Sequence, residues 1–178
     1  MAQTDFMTLL ENRYSCRKFT DEQLTEEELS TILEAARMSP TARNNQPVRL
    51  CVVQSAEGLA KVDECTKCRY NAPTAIIIAY DTTVASPVGE EHGPDACVSF
   101  GDIDATIAIT NMENAAASLG LGSCWIGAFN PKVTRQIFNV PENYKLVELM
   151  MFGHKAADPS PMHTNRHPVA DMVVEESF

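Results

Sequence analysis

Apolar and polar positions along the chain repeat with two periods, and the changes of period mark the elements. Phe6, Leu9 and Leu10 fall at helical spacing and predict a short amphipathic helix that ends near Asn12. A longer helix is predicted from Thr25, because Thr25 and Glu28 form a capping-box pair and Leu29, Ile32, Leu33 and Ala36 follow at helical intervals. It should stop before Ser39-Pro40. Residues 48–53 (VRLCVV) are rich in β-branched side chains and predict a strand, while 74–80 (TAIIIAY) is a continuous apolar run suited to a strand covered on both faces. The polar stretch from 81 to 97 carries Pro87, Gly89, Gly93 and Pro94 and is expected to be a long surface loop or lid.

From 103 to 119 the helical period returns, but Ile107, Ala108, Ile109, Met112, Ala115, Ala116 and Ala117 occupy more than one face. Such a helix has to lie centrally or be shared with a second subunit, and its alanines allow neighbouring elements to come close. Gly120 and Gly122 end it, and residues 123–126 predict a short strand. Asn130 then caps a helix with Pro131 at its first position. Residues 145–152 (KLVELMMF) predict another strand, and 169–174 offers a last β-like run. Helices alternate with strands throughout, which indicates an α/β or α+β fold with a helix-covered sheet.

With 178 residues, 44% apolar and 21% charged, and with no repeat, low-complexity tract or Gly/Ser linker, the chain is expected to form one domain over 1–178. Fourteen Lys and Arg against 24 Asp and Glu give a formal charge of -10, a surface that repels nucleic acid. No apolar run approaches the roughly 20 residues of a membrane span. The first residues lack a basic segment followed by an apolar one, so no secretory signal is read there, and the six cysteines are expected to be reduced thiols in a cytoplasmic protein.

On so acidic a chain the placing of each arginine is informative. Arg13, Ser15 and Arg17 alternate and, if extended, would project to one side as three anion donors, although a solvated basic patch would have the same spacing. Cys65-x-x-Cys68 is a second candidate. A metal site there needs two more ligands, and only the isolated Cys97, Cys124, His92 and His154 are at hand. A redox dithiol lacks the strand-to-helix setting, which leaves two plain thiols as the simplest reading. No metal site and no catalytic acid or base is assigned: G-x-S-x-G, H-E-x-x-H, a phosphate loop and G-x-G-x-x-G are all absent.

Four segments in order, RYSCRKF, SPTARNNQP, LGLGSCWIGAF and NRHP, give the chain a resemblance to the nitroreductase family from Arg13 to near its end. The resemblance implies an α+β nitroreductase-like fold, with a mostly antiparallel central sheet surrounded by helices, in an intertwined homodimer with FMN at the subunit interface. Arg13 and Ser15 are then implied at the FMN phosphate and ribityl chain, Tyr14 through its backbone, and Arg17 at the pyrimidine edge of the flavin, where a cation stabilises charge formed on reduction. Pro40, Thr41, Ala42, Asn44 and Gln46 are implied in a loop over the flavin of the other subunit. Val48 stands where the family often has Trp. Trp125, Ile126, Gly127 and Ala128 are implied in a turn past the flavin ring, and Arg166 as a second phosphate ligand. The implied activity is hydride transfer from NADH or NADPH to FMN, then ping-pong delivery to a nitroaromatic, quinone or similar small acceptor. Its alternatives are a dehalogenating or flavin-modifying enzyme of the same fold, or a flavin-free redox or metal module built on the C-x-x-C pair.

Overall fold

In a computed structural model the structure describes residues 5–87 and 99–177. Of the expected 81–97 loop, residues 88–97 lie outside the described set, and His92 and Cys97 with them. The elements are α1 (Phe6–Asn12), α2 (Glu26–Arg37), β1 (Val48–Val53), α3 (Ala56–Cys65), β2 (Thr74–Asp81), α4 (Phe100–Ser118), β3 (Gly122–Ile126), α5 (Pro131–Ile137) and β4 (Tyr144–Gly153). The four strands form one sheet in the order β1-β2-β4-β3, antiparallel at every pairing. An α+β class follows, as the resemblance implied.

The strand period of two divides the core into two layers. Ile76 and Ile78 of β2 and Met150 and Phe152 of β4 face one way, against Ile32 of α2 and Ala105, Ile109, Met112 and Ala116 of α4. Ala75 and Ile77 of β2 and Leu149 and Met151 of β4 face the other way, with Val53, Cys124 and Ile126, against Val62 of α3. Every residue of β2 is buried, because this strand is central and both its faces are covered. Each buried Ile or Met contributes about 1.5–3 kcal/mol relative to exposure, so the two layers dominate stability.

Local signals explain most helix boundaries. The Thr25 hydroxyl accepts from Glu28 N and the Glu28 carboxylate accepts from Thr25 N, closing the capping box that starts α2. The Asn130 side chain accepts from the backbone of Lys132 and Val133 to start α5, with Pro131 following. In α4, Gly101 lies against the Tyr80 ring, where a Cβ would overlap ring atoms, so this close approach needs glycine. α3 has no counterpart among the expected elements: Ser55 caps it through Gly58 N, and Val62 and Cys65 are its buried residues.

The expected strand at 169–174 does not form. Residues Val169–Asp171 make a 3-10 turn, and Val169, Met172, Val173 and Val174 are exposed. A β-rich run becomes a strand only when a sheet edge receives it, and this segment pairs with neither edge.

Candidate active site

α1 ends where Arg13 N donates to Leu9 O, and the chain then runs extended beside the outer edge of β3. Ser15 bridges Ser123 in parallel, and Cys16 N donates to Ser123 O at 2.7 Å. Cys16 turns inward against Gly122. Ser15 and Arg17 are exposed, whereas Arg13 is only 24% exposed in its side chain. The spacing thus places the three expected donors along one outward edge, with one addition that it did not suggest. Arg13 Nη1 donates to Glu113 Oε1 of α4 at 3.3 Å, and the Ser123 hydroxyl donates to the same oxygen at 3.3 Å. A buried carboxylate therefore fixes the guanidinium.

Tyr14 points elsewhere. Its hydroxyl donates to Ala157 O, its ring meets His163 edge-on with centroids 5.8 Å apart, and Lys155 Nζ lies 5.2 Å from its centroid. Burial, followed by the Cys16 thiol, pushes its phenol up to about 12. Arg17 belongs to a group with Tyr70, Cys68 and Cys124. The Tyr70 phenol is raised chiefly by its hydrogen bond with the Cys68 thiol, while Arg17 acts in the opposite sense. Burial pushes the Cys124 thiol up to about 11, again opposed by Arg17.

β3 leads from this edge into the second expected segment. Trp125 pairs with Met150 and Ile126 with Leu149 on β4. A Cβ on Gly127 would lie 3.0 Å from Glu148 Oε2, so the glycine leaves this carboxylate room against the turn. Burial raises the Glu148 carboxyl, opposed by its hydrogen bond with Trp125, and its Oε2 is buried without a partner. The C-x-x-C segment props the turn from behind: the Thr66 hydroxyl donates to Ala128 O at 2.7 Å, and Asn130 N donates to Cys65 O at 2.8 Å. Cys65 donates its thiol hydrogen to Lys61 O. Among the described residues no group of three or more His, Cys, Asp or Glu could hold a metal ion.

The third expected segment, Pro40 to Gln46, lies between α2 and β1. Ser39 is buried, Pro40 and residues 43–46 are exposed, and a cavity of about 260 Å³ opens beside Thr41, Gln46, Leu33 and Val48. Arg43, Asn44 and Gln46 all have φ between 53° and 57°. That left-handed region costs a non-glycine residue on the order of 1 kcal/mol or more. Arg166, beyond the 3-10 turn Pro161–Thr164, is exposed and donates to Asn165 O. His163 of the same turn contacts Glu11 O, which docks this segment on α1 near Arg13.

The structure therefore joins Arg13, Ser15, Arg17 and the Trp125–Ala128 turn along one edge, and sets the 39–46 loop apart. Ala42 N bonds to Asp104 and Arg13 to Glu113, both on α4. Nine residues of helix separate these anchors by roughly 14 Å. Asp104, Glu113 and Glu148 were not among the expected residues. The one signal for the first two is an acidic residue inside a helix otherwise too apolar to face water, which demands a buried partner.

An antiparallel sheet between helical layers, with an extended arginine-bearing segment on one edge leading to a strand-end turn, defines an α+β protein. The chain belongs to the nitroreductase family, whose sequence profile matches residues 10–69 and 67–154. A Methanothermobacter thermautotrophicus protein provisionally named NADH dehydrogenase/NAD(P)H nitroreductase is 30% identical over 166 residues, covering 89% of this chain and 82% of that protein. The NAD(P)H-linked FMN reductase of Bacillus subtilis is 30% identical over 161 residues, which are 83% of this chain and 64% of that enzyme. The crystal structure of a nitroreductase family protein from Clostridium difficile 630 superposes with a TM-score of 0.89 at 31% identity, covering 98% of this chain and all of that one.

Proposed function

We propose that this protein is an FMN-dependent oxidoreductase that takes a hydride from NADH or NADPH and passes electrons to a nitroaromatic, quinone or similar small acceptor in ping-pong fashion. The observation that carries this reading is the edge formed by Arg13, Ser15 and Arg17 beside β3, continuous with the Trp125–Ala128 turn, in a nitroreductase-family fold. The flavin-linked name of the Bacillus subtilis relative points the same way.

The residues fit FMN in their donor chemistry. Arg13, held by Glu113, keeps further N–H groups for a phosphate oxygen, Ser15 offers an exposed hydroxyl beside it, and Arg166 supplies a second guanidinium. Arg17 would stabilise negative charge at the pyrimidine edge, and Tyr14 would contribute its backbone while its side chain anchors the 155–164 segment. Trp125, Ile126, Gly127 and Ala128 would present backbone groups to the ring, and Thr66 stiffens that turn. When bound, the flavin supplies the hydride and electron transfer, and the protein supplies position and electrostatics.

Pro40, Thr41, Ala42, Asn44 and Gln46 complete the site from a second copy in this reading, which makes the protein a homodimer with FMN at the interface. The separation of the two α4 anchors supports it, as do the exposed apolar side chains of Phe6, Met7, Met38, Ile103 and Met172. The free thiols of Cys16, Cys51, Cys65, Cys68 and Cys124 support a reducing, cytoplasmic setting. Among the described residues no helix is long and apolar enough to cross a membrane.

Steady-state rates measured against NADH or NADPH and a panel of nitroaromatics and quinones test the reaction. Parallel double-reciprocal lines are expected for a ping-pong enzyme; intersecting lines, or no turnover with any acceptor, would count against it.

A further inference from the structure

The 39–46 loop poses a physical problem that its own sequence does not solve. Arg43, Asn44 and Gln46 all occupy the left-handed region, residues 43–46 are exposed, and no glycine relieves the strain. Strain of this kind persists only where surrounding structure over-determines it. The constraints come from α4 and from Ser86. Asp104 Oδ1 accepts from Ala42 N at 2.8 Å, and Asn111 Nδ2 donates to the Ser39 hydroxyl at 2.8 Å. The Ser86 hydroxyl donates to Ala42 O, and Asn45 Nδ2 donates to Ser86 Oγ. Within the loop, Gln46 N donates to Thr41 Oγ1.

Asp104 and Asn111 are seven residues apart, two turns of α4, and so reach the loop from one helix face. Asp104 is 2% exposed, and its second oxygen is buried without a partner. A buried carboxylate with one free oxygen is costly unless its charge is used. Here the charge is used in the bond to Ala42 N, which is charge-assisted.

We propose that Asp104, assisted by Asn111, is a positioning residue that clamps the 39–46 loop in its strained conformation, so that the loop reaches a cofactor bound by a second copy of the chain. The inference rests on the flavin reading above and deepens it: one α4 serves two sites, its own chain's through Glu113 and Arg13 and the second copy's through Asp104 and the loop.

The test uses the full chain without added flavin and then with FMN. In the apoprotein, Asp104→Ala is expected to speed amide exchange over residues 41–46, and tryptic cleavage after Arg43, by about tenfold or more, the effect of losing one charge-assisted bond. The same variant should weaken FMN binding by about tenfold, and Asp104→Asn, which still accepts from Ala42 N, should stay within about threefold of the parent. Asn111→Ala and Ser86→Ala should shift both readouts in the same direction by less, and they carry the test if Asp104→Ala does not fold. Unchanged loop exchange in these variants would overturn the clamp, and faster exchange with parental FMN affinity would overturn its role toward the cofactor. Failure of the flavin reading is separate, because it appears as absent FMN binding in the parent protein.

Discussion

A single methyl group at position 127 would lie 3.0 Å from the Glu148 carboxylate, and the end of that side chain would have to give way to it. Gly127→Ala is expected to destabilise the protein by about 1 kcal/mol, the low end of overpacking because the carboxylate can shift, and Glu148→Ala in the same chain should recover much of it; thermal unfolding of the single and double variants measures both. Glu148 also has a pH signature. Its carboxyl is raised by burial, so the folded chain holds the proton more tightly than the unfolded chain does. Its ionisation therefore costs nothing below the unfolded value and increasingly destabilises the fold as pH rises through the raised folded value. Glu148→Gln should flatten the fall in stability above about pH 4 and be no less stable than the parent at neutral pH, as denaturant midpoints across pH would show. Arg17→Ala should weaken FMN retention or slow flavin reduction, and unaltered affinity and turnover would remove Arg17 from the site.

At the scale of elements, what could be read in the sequence was what short-range rules control. The Thr25–Glu28 capping box, the Asn130-Pro131 start and the unbroken apolar run of β2 all lie within a few residues of their cause, and all appear where expected. Thr25→Ala should cost about 0.5–2 kcal/mol through loss of that cap, measured as a lowered midpoint of unfolding with α2 exchanging first. α3 was missed because its inward residues, Val62 and Cys65 with Leu59 beside them, are few among charged neighbours and Gly58, so its period is faint. Residues 169–174 misled for the opposite reason, since β-branched side chains show propensity without showing whether a sheet edge is free. The ties that shape the candidate site span long distances in sequence. Asp104 to Ala42 crosses 62 residues and Glu113 to Arg13 crosses 100, and no local pattern encodes such pairs. The arginine and serine spacing at 13–17 was visible; the buried acids that orient it were not.

For the whole molecule, α4 ties two separated clusters to one rigid axis, and a shared site in a homodimer is how those clusters would meet. This makes a genetic prediction. An Arg17→Ala chain and an Asp104→Ala chain, each impaired alone, should complement when co-expressed, because the mixed dimer contains one site with both parental surfaces. About a quarter of all sites would then be restored under random pairing. No recovery in verified mixed dimers would place both residues in the same subunit's site. The net charge of -10 bears on the same scale, since in the proposed reading a phosphate-bearing ligand approaches against the average field and would depend on Arg13, Arg17 and Arg166. Raising ionic strength should screen both contributions, so salt dependence of the FMN on-rate reports which one dominates.

The most direct test is anaerobic titration of the purified apoprotein with FMN, followed by addition of NADH or NADPH while the flavin absorbance is recorded. The predicted result is saturable, stoichiometric binding and rapid bleaching of the bound flavin by at least one nicotinamide. A protein that leaves FMN free in solution, or binds it and leaves it oxidised with both nicotinamides, would contradict the proposed oxidoreductase.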